Sequence, residues 1–145
     1  IEEGNAIGNS SVLVRKDMLI RIGGISENRD LVASEDFNTW LRVAEITDQF
    51  KYIKKKLGYY LVHDNSAQKR DLSIPHRQAV AEFMKLFDKN QMLNLEVKLK
   101  YMSGSYNYSN NNYNKAKEDF IYVLKNGGIN FKIRSLIKIT SILLK

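Results

Sequence analysis

Cysteine is absent from the chain, which excludes disulfide scaffolds, thiolate zinc sites and cysteine nucleophiles together and suits a reducing, cytoplasmic compartment. Proline occurs once, at Pro75. No apolar run approaches the roughly 20 residues that a helix needs to cross a bilayer, so the sequence does not read as an integral membrane protein. Helix-turn-helix, zinc-finger and RNA-recognition signatures are also missing, and nucleic acid is therefore not an expected partner. The first residues, Ile1-Glu2-Glu3-Gly4, carry neither an initiator Met nor a basic-then-apolar leader, and the chain reads as a portion of a longer protein.

What is present is the composition of a globular domain. The 145 residues are 43% hydrophobic and 10% aromatic, enough to bury a core without a disulfide or a structural metal. The formal net charge is +7, which favours anionic partners. The surplus is uneven. From Lys98 onward there are nine basic residues against Glu118 and Asp119 alone, so this stretch carries a surplus equal to that of the whole chain.

Along the chain, the β-branched run Ser10–Val14 predicts a strand, and Met18–Ile22 has helical spacing. Gly23-Gly24 then supplies a helix stop, because glycine enters the left-handed conformation without a Cβ penalty. Ser34 suits an N-cap, with Glu35 and Asp36 in the first turn of a helix to about Thr47, where their charge opposes the positive end of the helix dipole. Phe37, Trp40, Leu41 and Ala44 form the apolar stripe of that helix. Phe50–Ile53 and Leu57–Val62 read as two short strands, with Gly58 as a bulge.

Beyond a polar loop from Asp64 to Ile74, Pro75 suits the first turn of a helix over His76–Lys89, with Val80, Phe83, Met84 and Phe87 as its stripe. Leu93–Met102 predicts a further helix, and the low-complexity stretch Ser103–Asn112 has the composition of an exposed loop. Two last helices, Tyr113–Lys125 and Phe131–Leu144, flank the stop signal Asn126-Gly127-Gly128. The pattern is mixed α/β first and helical afterwards.

Five groups of residues occur in order: Asn5-Ala6-Ile7, Ser10-Ser11-Val12-Leu13-Val14-Arg15, Gly23-Gly24-Ile25-Ser26-Glu27, Glu35-Asp36-Phe37-Asn38-Thr39-Trp40-Leu41-Arg42 and Tyr59-Tyr60-Leu61-Val62-His63. This succession, over roughly residues 5 to 66, resembles the second half of family 2 glycosyltransferases. There a serine-rich strand, a Gly-Gly turn, a Glu-Asp helix with Trp and a Tyr-Arg-x-His strand follow one another. The resemblance implies an α/β fold, the last part of a GT-A, Rossmann-like nucleotide-diphospho-sugar transferase sheet, followed by an α-helical carboxyl-terminal extension. Residues 1–74 would be the acceptor-side half of that domain and 75–145 the extension.

By position, the resemblance makes Asp36 the general base that takes a proton from the acceptor hydroxyl, with Glu35 a supporting or acceptor-binding carboxylate. Inverting transfer needs one carboxylate placed in this way. Trp40 supports the helix from one turn below, and His63 is the residue that approaches the donor's metal. The implied cofactor of the intact enzyme is Mg2+ or Mn2+, held at an Asp-x-Asp motif in the preceding half. This chain contains no Asp-x-Asp, so it is expected to bind no metal and to be inactive alone. Leu61 stands where the pattern has Arg, removing a cationic partner, and Ile25 replaces Phe, an apolar exchange.

The expected partners are a nucleotide-sugar donor and a saccharide or lipid-linked acceptor of cell-surface polysaccharide synthesis, met at the inner face of the membrane. A second copy of the chain is a further partner, since a partial sheet leaves an open edge. Gly104-Ser105-Tyr106 followed by Tyr113–Phe120 looks like part of a tetratricopeptide helix pair. Phe131–Lys145 mixes bulky apolar and basic residues with no acid, a composition that suits either an anionic membrane surface or the cap of a core. The alternative to an enzyme is a non-catalytic helical module that binds protein or membrane, in which the acid pair only caps its helix.

Overall fold

The computed structural model describes residues 5–56, 58–59, 61 and 70–144, and among these every regular element is a helix. Helix α1 is Lys16–Arg21, α2 Glu35–Ile46, α3 Ser73–Val80, α4 Lys89–Ser109, α5 Tyr113–Asn126 and α6 Ile129–Leu143. Three 3-10 turns, Asn9–Ser11, Arg29–Leu31 and Ala81–Leu86, complete the set.

This overturns the α/β expectation: no strand and no sheet occur among the described residues, so the chain is not a GT-A, Rossmann-like sheet with a helical tail. In place of the first predicted strand, Asn9–Ser11 closes a 3-10 turn and Val12 continues in extended conformation. Around Phe50–Ile53 the backbone bonds are local, from Phe50 N–H to the Asp48 carbonyl and from Lys55 N–H to the Ile53 carbonyl. The physical reason is that a strand exists only as a member of a ladder. β-branched residues express a preference for extended backbone, and a ladder also needs a second backbone with matching donors and acceptors. Without one, Leu13, Tyr52 and Ile53 stay extended or irregular with their side chains in solvent. The third predicted strand, Leu57–Val62, lies partly outside the described residues; its described members Gly58, Tyr59 and Leu61 belong to no strand.

The helices form where apolar spacing and end signals agree. Gly23 and Gly24 take φ of 77° and 84° and end α1, with Gly24 N–H bonded to the Leu19 carbonyl. Helix α4 opens with a complete capping box, in which the Asp88 side chain accepts from Gln91 N–H and the Gln91 side chain accepts from Asp88 N–H. It starts before the predicted Leu93 and runs through Gly104 to Ser109, so most of the stretch that reads as a loop is helical. Conversely, the helix predicted over His76–Lys89 breaks after Val80 into the 3-10 turn Ala81–Leu86.

Two apolar clusters share α4. Leu31, Phe37, Ala79, Val80, Leu95 and Leu99 form the first, drawing on residues from both sides of residue 74. Ala116, Phe120 and Ile139 form the second, with Tyr101, Tyr108, Leu124 and Ile142 against them. Helices α4, α5 and α6 therefore run as consecutive packed hairpins, while α3 packs on the first half of α4 and α2 packs on α3. The ion pair Arg77–Glu96 ties α3 to α4 at 2.6 Å.

Candidate functional site

Helix α2, which carries the fourth of the ordered sequence groups, meets the first and the third. Asn5 donates its side-chain amide to Asp36 Oδ2 at 3.1 Å, across 31 positions of sequence. Arg42, two turns further along α2, donates to the Ile22 carbonyl at 2.8 Å and the Gly24 carbonyl at 2.9 Å. These carbonyls end α1 at the Gly-Gly turn, so one guanidinium satisfies them and fastens the turn to α2. One turn before Arg42 on the same side of α2, Asn38 donates to the Ala79 carbonyl at 3.0 Å and to Glu82 Oε1 at 2.9 Å, fixing α2 against α3 and the 3-10 turn that follows.

The acid pair sits where the sequence places it, in the first turn of α2, with Ser34 at the N-cap position. Ser34 makes no side-chain capping bond; instead Asp36 Oδ1 accepts from the Phe37 N–H at 2.7 Å. Asp36 thus has one oxygen on a backbone donor and the other on Asn5, a carboxylate oriented by two N–H groups at the positive end of a helix. Glu35 differs. Its carbonyl accepts from the Thr39 hydroxyl at 2.7 Å, while its Oε2 is buried with no hydrogen-bond partner among the described residues. An unpaired buried carboxylate oxygen is an acceptor that a ligand hydroxyl or amide can satisfy.

The chain enters this turn through Ala33, whose φ is 69°. The left-handed conformation costs a residue with a Cβ roughly 1 kcal/mol, and such strain gathers at functional turns. The sequence carries no signal for it, since glycine is the residue that this conformation favours.

Trp40 is buried on the inner side of α2, and its indole N–H has no partner among the described residues. His63 lies outside the described residues. The histidine that the structure does bring to α2 is His76 of α3, stacked on Phe37 with ring centroids 4.7 Å apart and planes 17° off parallel. Burial, reinforced by the charge of Lys98, pushes the His76 imidazole down to about 4 from its ordinary 6.5, so it is neutral at physiological pH. Nothing in the local sequence marked His76, because the ring it stacks on is 39 positions earlier.

An open depression of about 330 Å³ runs along α2, lined by Ser26, Leu31, Asn38, Arg42, Gln78 and Glu82 among others. Asp36 and Glu35 do not line it. Among the described residues, no group of three or more histidine and acidic side chains is gathered as metal ligands would be. The divalent cation that the resemblance implies therefore finds no ligand set there, and both oxygens of Asp36 face N–H donors. Comparison with protein-family models, curated proteins and solved structures finds no match to this chain.

Proposed function

We propose that this chain is an acceptor-side portion of an inverting family 2 glycosyltransferase, in helical form, with Asp36 as the general base. The single observation that carries this reading is the Asn5–Asp36 hydrogen bond, which brings the first and fourth of the ordered sequence groups together at the carboxylate that the pattern singles out. Arg42, by holding the Gly-Gly turn, brings in the third.

In this reading the acceptor hydroxyl approaches Asp36 at the amino end of α2. The carboxylate accepts the hydroxyl proton as the oxygen attacks the anomeric carbon of a nucleotide-sugar donor, and the bond from that carbon to the diphosphate breaks with inversion. Asn5 and the Phe37 N–H hold the carboxylate so that little reorientation is needed. The unpaired Oε2 of Glu35 anchors a second hydroxyl of the acceptor. The acceptor is a saccharide or a lipid-linked saccharide, and the donor site belongs to residues outside this chain.

A second reading is favoured by one observation. The Asp36 Oδ1 bond to the Phe37 N–H is what a purely structural cap would make, in a non-catalytic helical module. Sugar transfer by the protein that carries this chain, assayed with UDP- and GDP-sugars for wild type and Asp36→Asn, separates the two. A base predicts a loss of about 10²- to 10⁴-fold in the variant with its fold intact. Unchanged transfer would establish the cap.

A further inference from the structure

Helix α6 has two apolar faces, and the described residues cover only one. The inner face packs through Phe131, Ser135, Ile139 and Ile142: Phe131 meets the Tyr101 ring at 5.1 Å, and Ser135 and Ile139 are buried. Ile129, Ile133, Leu136, Ile137, Leu143 and Leu144 lie on the other side, between 52% and 83% exposed. At about 100° per residue these six fall within an arc of about 120°, the width of the apolar side of a surface helix. Thr140 is the one polar residue inside that arc. An apolar stripe of four turns, broken only by Thr140, on a helix with a covered face behind it marks an interaction surface.

The charges beside the stripe indicate what covers it. Lys132 stands about 20° beyond one edge and Arg134 about 60° beyond the other. Helix α6 contains no acid, and the nearby Lys138 ammonium stays above the Tyr108 ring at 4.1 Å. A second copy of the chain laid on this stripe would bring Lys132 and Arg134 against the same cations, in the part of the sequence where nine basic residues meet two acids. Like charges at such a contact oppose pairing. A surface that is apolar just below and anionic at its rim meets both requirements, and that surface is a phospholipid bilayer with negative headgroups.

We propose that α6 is an interfacial helix that docks the protein on an anionic phospholipid surface. Ile133, Leu136 and Ile137 enter the boundary between headgroups and acyl chains, with Lys132 and Arg134 among the phosphates. No helix among the described residues is long and apolar enough to cross a membrane, so the helix lies in the plane of the surface.

The test is co-sedimentation of the 145-residue chain with sucrose-loaded vesicles of phosphatidylcholine alone or with 30% phosphatidylglycerol (roughly the charge of an anionic leaflet). The proposal expects binding to the anionic vesicles that weakens with salt and little binding to the neutral ones. Ile133→Asp with Ile137→Asp, both at exposed positions, abolishes it with the helical circular dichroism spectrum retained. Lys132→Gln with Arg134→Gln leaves the stripe intact and weakens partition about 30-fold. Equal binding to both vesicle types, no binding to either, or a concentration-dependent dimer that the double aspartate variant dissociates would each overturn it.

Discussion

Gly104 of α4 faces the Phe120 ring of α5 so closely that a Cβ at position 104 would stand 3.0 Å from Cε1 and 3.1 Å from Cδ1 of the ring, and 3.2 Å from Asp119 Cβ. Two effects oppose each other when Gly104 becomes Ala. Helix propensity favours Ala by about 1 kcal/mol, whereas forcing a methyl group into a filled core costs roughly 1–3 kcal/mol. Phe120 is fully buried, so a shift of its ring would disturb the surrounding core, and the steric effect is expected to win. Urea unfolding is expected to show Gly104→Ala less stable by about 1 kcal/mol; a stabilised variant would mean that α4 and α5 pack less tightly than this.

The same contact contains a buried acid. Asp119 accepts from Lys100 Nζ at 2.8 Å and from the Ser103 hydroxyl at 2.7 Å, with its own side chain almost wholly covered. The hydrogen bond to Asp119 raises the Lys100 pKa above its ordinary value. Lys100→Ala leaves a buried carboxylate with Ser103 alone, an uncompensated charge whose cost is about 3 kcal/mol. Adding Asp119→Asn removes that charge and keeps an acceptor for Ser103. The double variant is therefore expected to be more stable than Lys100→Ala, by chemical unfolding. If the two are equal, the pair is solvated and contributes little.

These residues also show what the sequence made legible. Ala116, Phe120 and Val123 recur at helical spacing and are all buried, as are Phe37 and Trp40 in α2. Such stripes are read locally, because a helix satisfies its own backbone. The strands failed for the converse reason: a ladder depends on a partner that local spacing does not report. Ser103–Ser109 failed because its glycine, serines and asparagine resemble a loop in composition. In place, Gly104 and Asn107 are the small and polar residues that let α5 approach, and Asn107 bonds back to the Ser103 carbonyl at 2.8 Å. At the candidate site, Glu35 and Asp36 were visible from their place at a helix start. Asn5, His76 and the strained Ala33 were not, because each matters through a neighbour distant in sequence or through backbone geometry that alanine does not advertise.

His76 makes stability depend on pH in a definite direction. Its pKa in the folded protein is about 4, below the ordinary 6.5 of an unfolded chain, so between these values the unfolded state binds the extra proton. The contribution is fully present above pH 6.5 and is lost as pH falls towards 4. The melting temperature is expected to fall across that window for the wild type and to fall less for His76→Leu, which keeps an apolar partner against Phe37. Parallel curves for the two proteins would show that the imidazole gains its proton without leaving its place.

Asn5 is the residue whose role is most sharply separable from stability. Its bond to Asp36 is solvent-exposed, so on removal water replaces it at the carboxylate with little loss, under about 1 kcal/mol. If Asp36 serves only as a cap, its Phe37 bond suffices and Asn5→Ala changes nothing measurable. If Asp36 is the base, losing one of its two orienting donors lets the carboxylate turn away from the acceptor hydroxyl. Small misplacements of this kind reduce turnover by about tenfold to a hundredfold. In the sugar-transfer assay, Asn5→Ala is therefore expected to lower kcat by about tenfold with KM for the donor unchanged. Asn5→Asp is expected to be worse still, because a second negative charge beside Asp36 replaces a donor with a repulsion. A kcat unaffected by both variants would confine Asp36 to the helix cap.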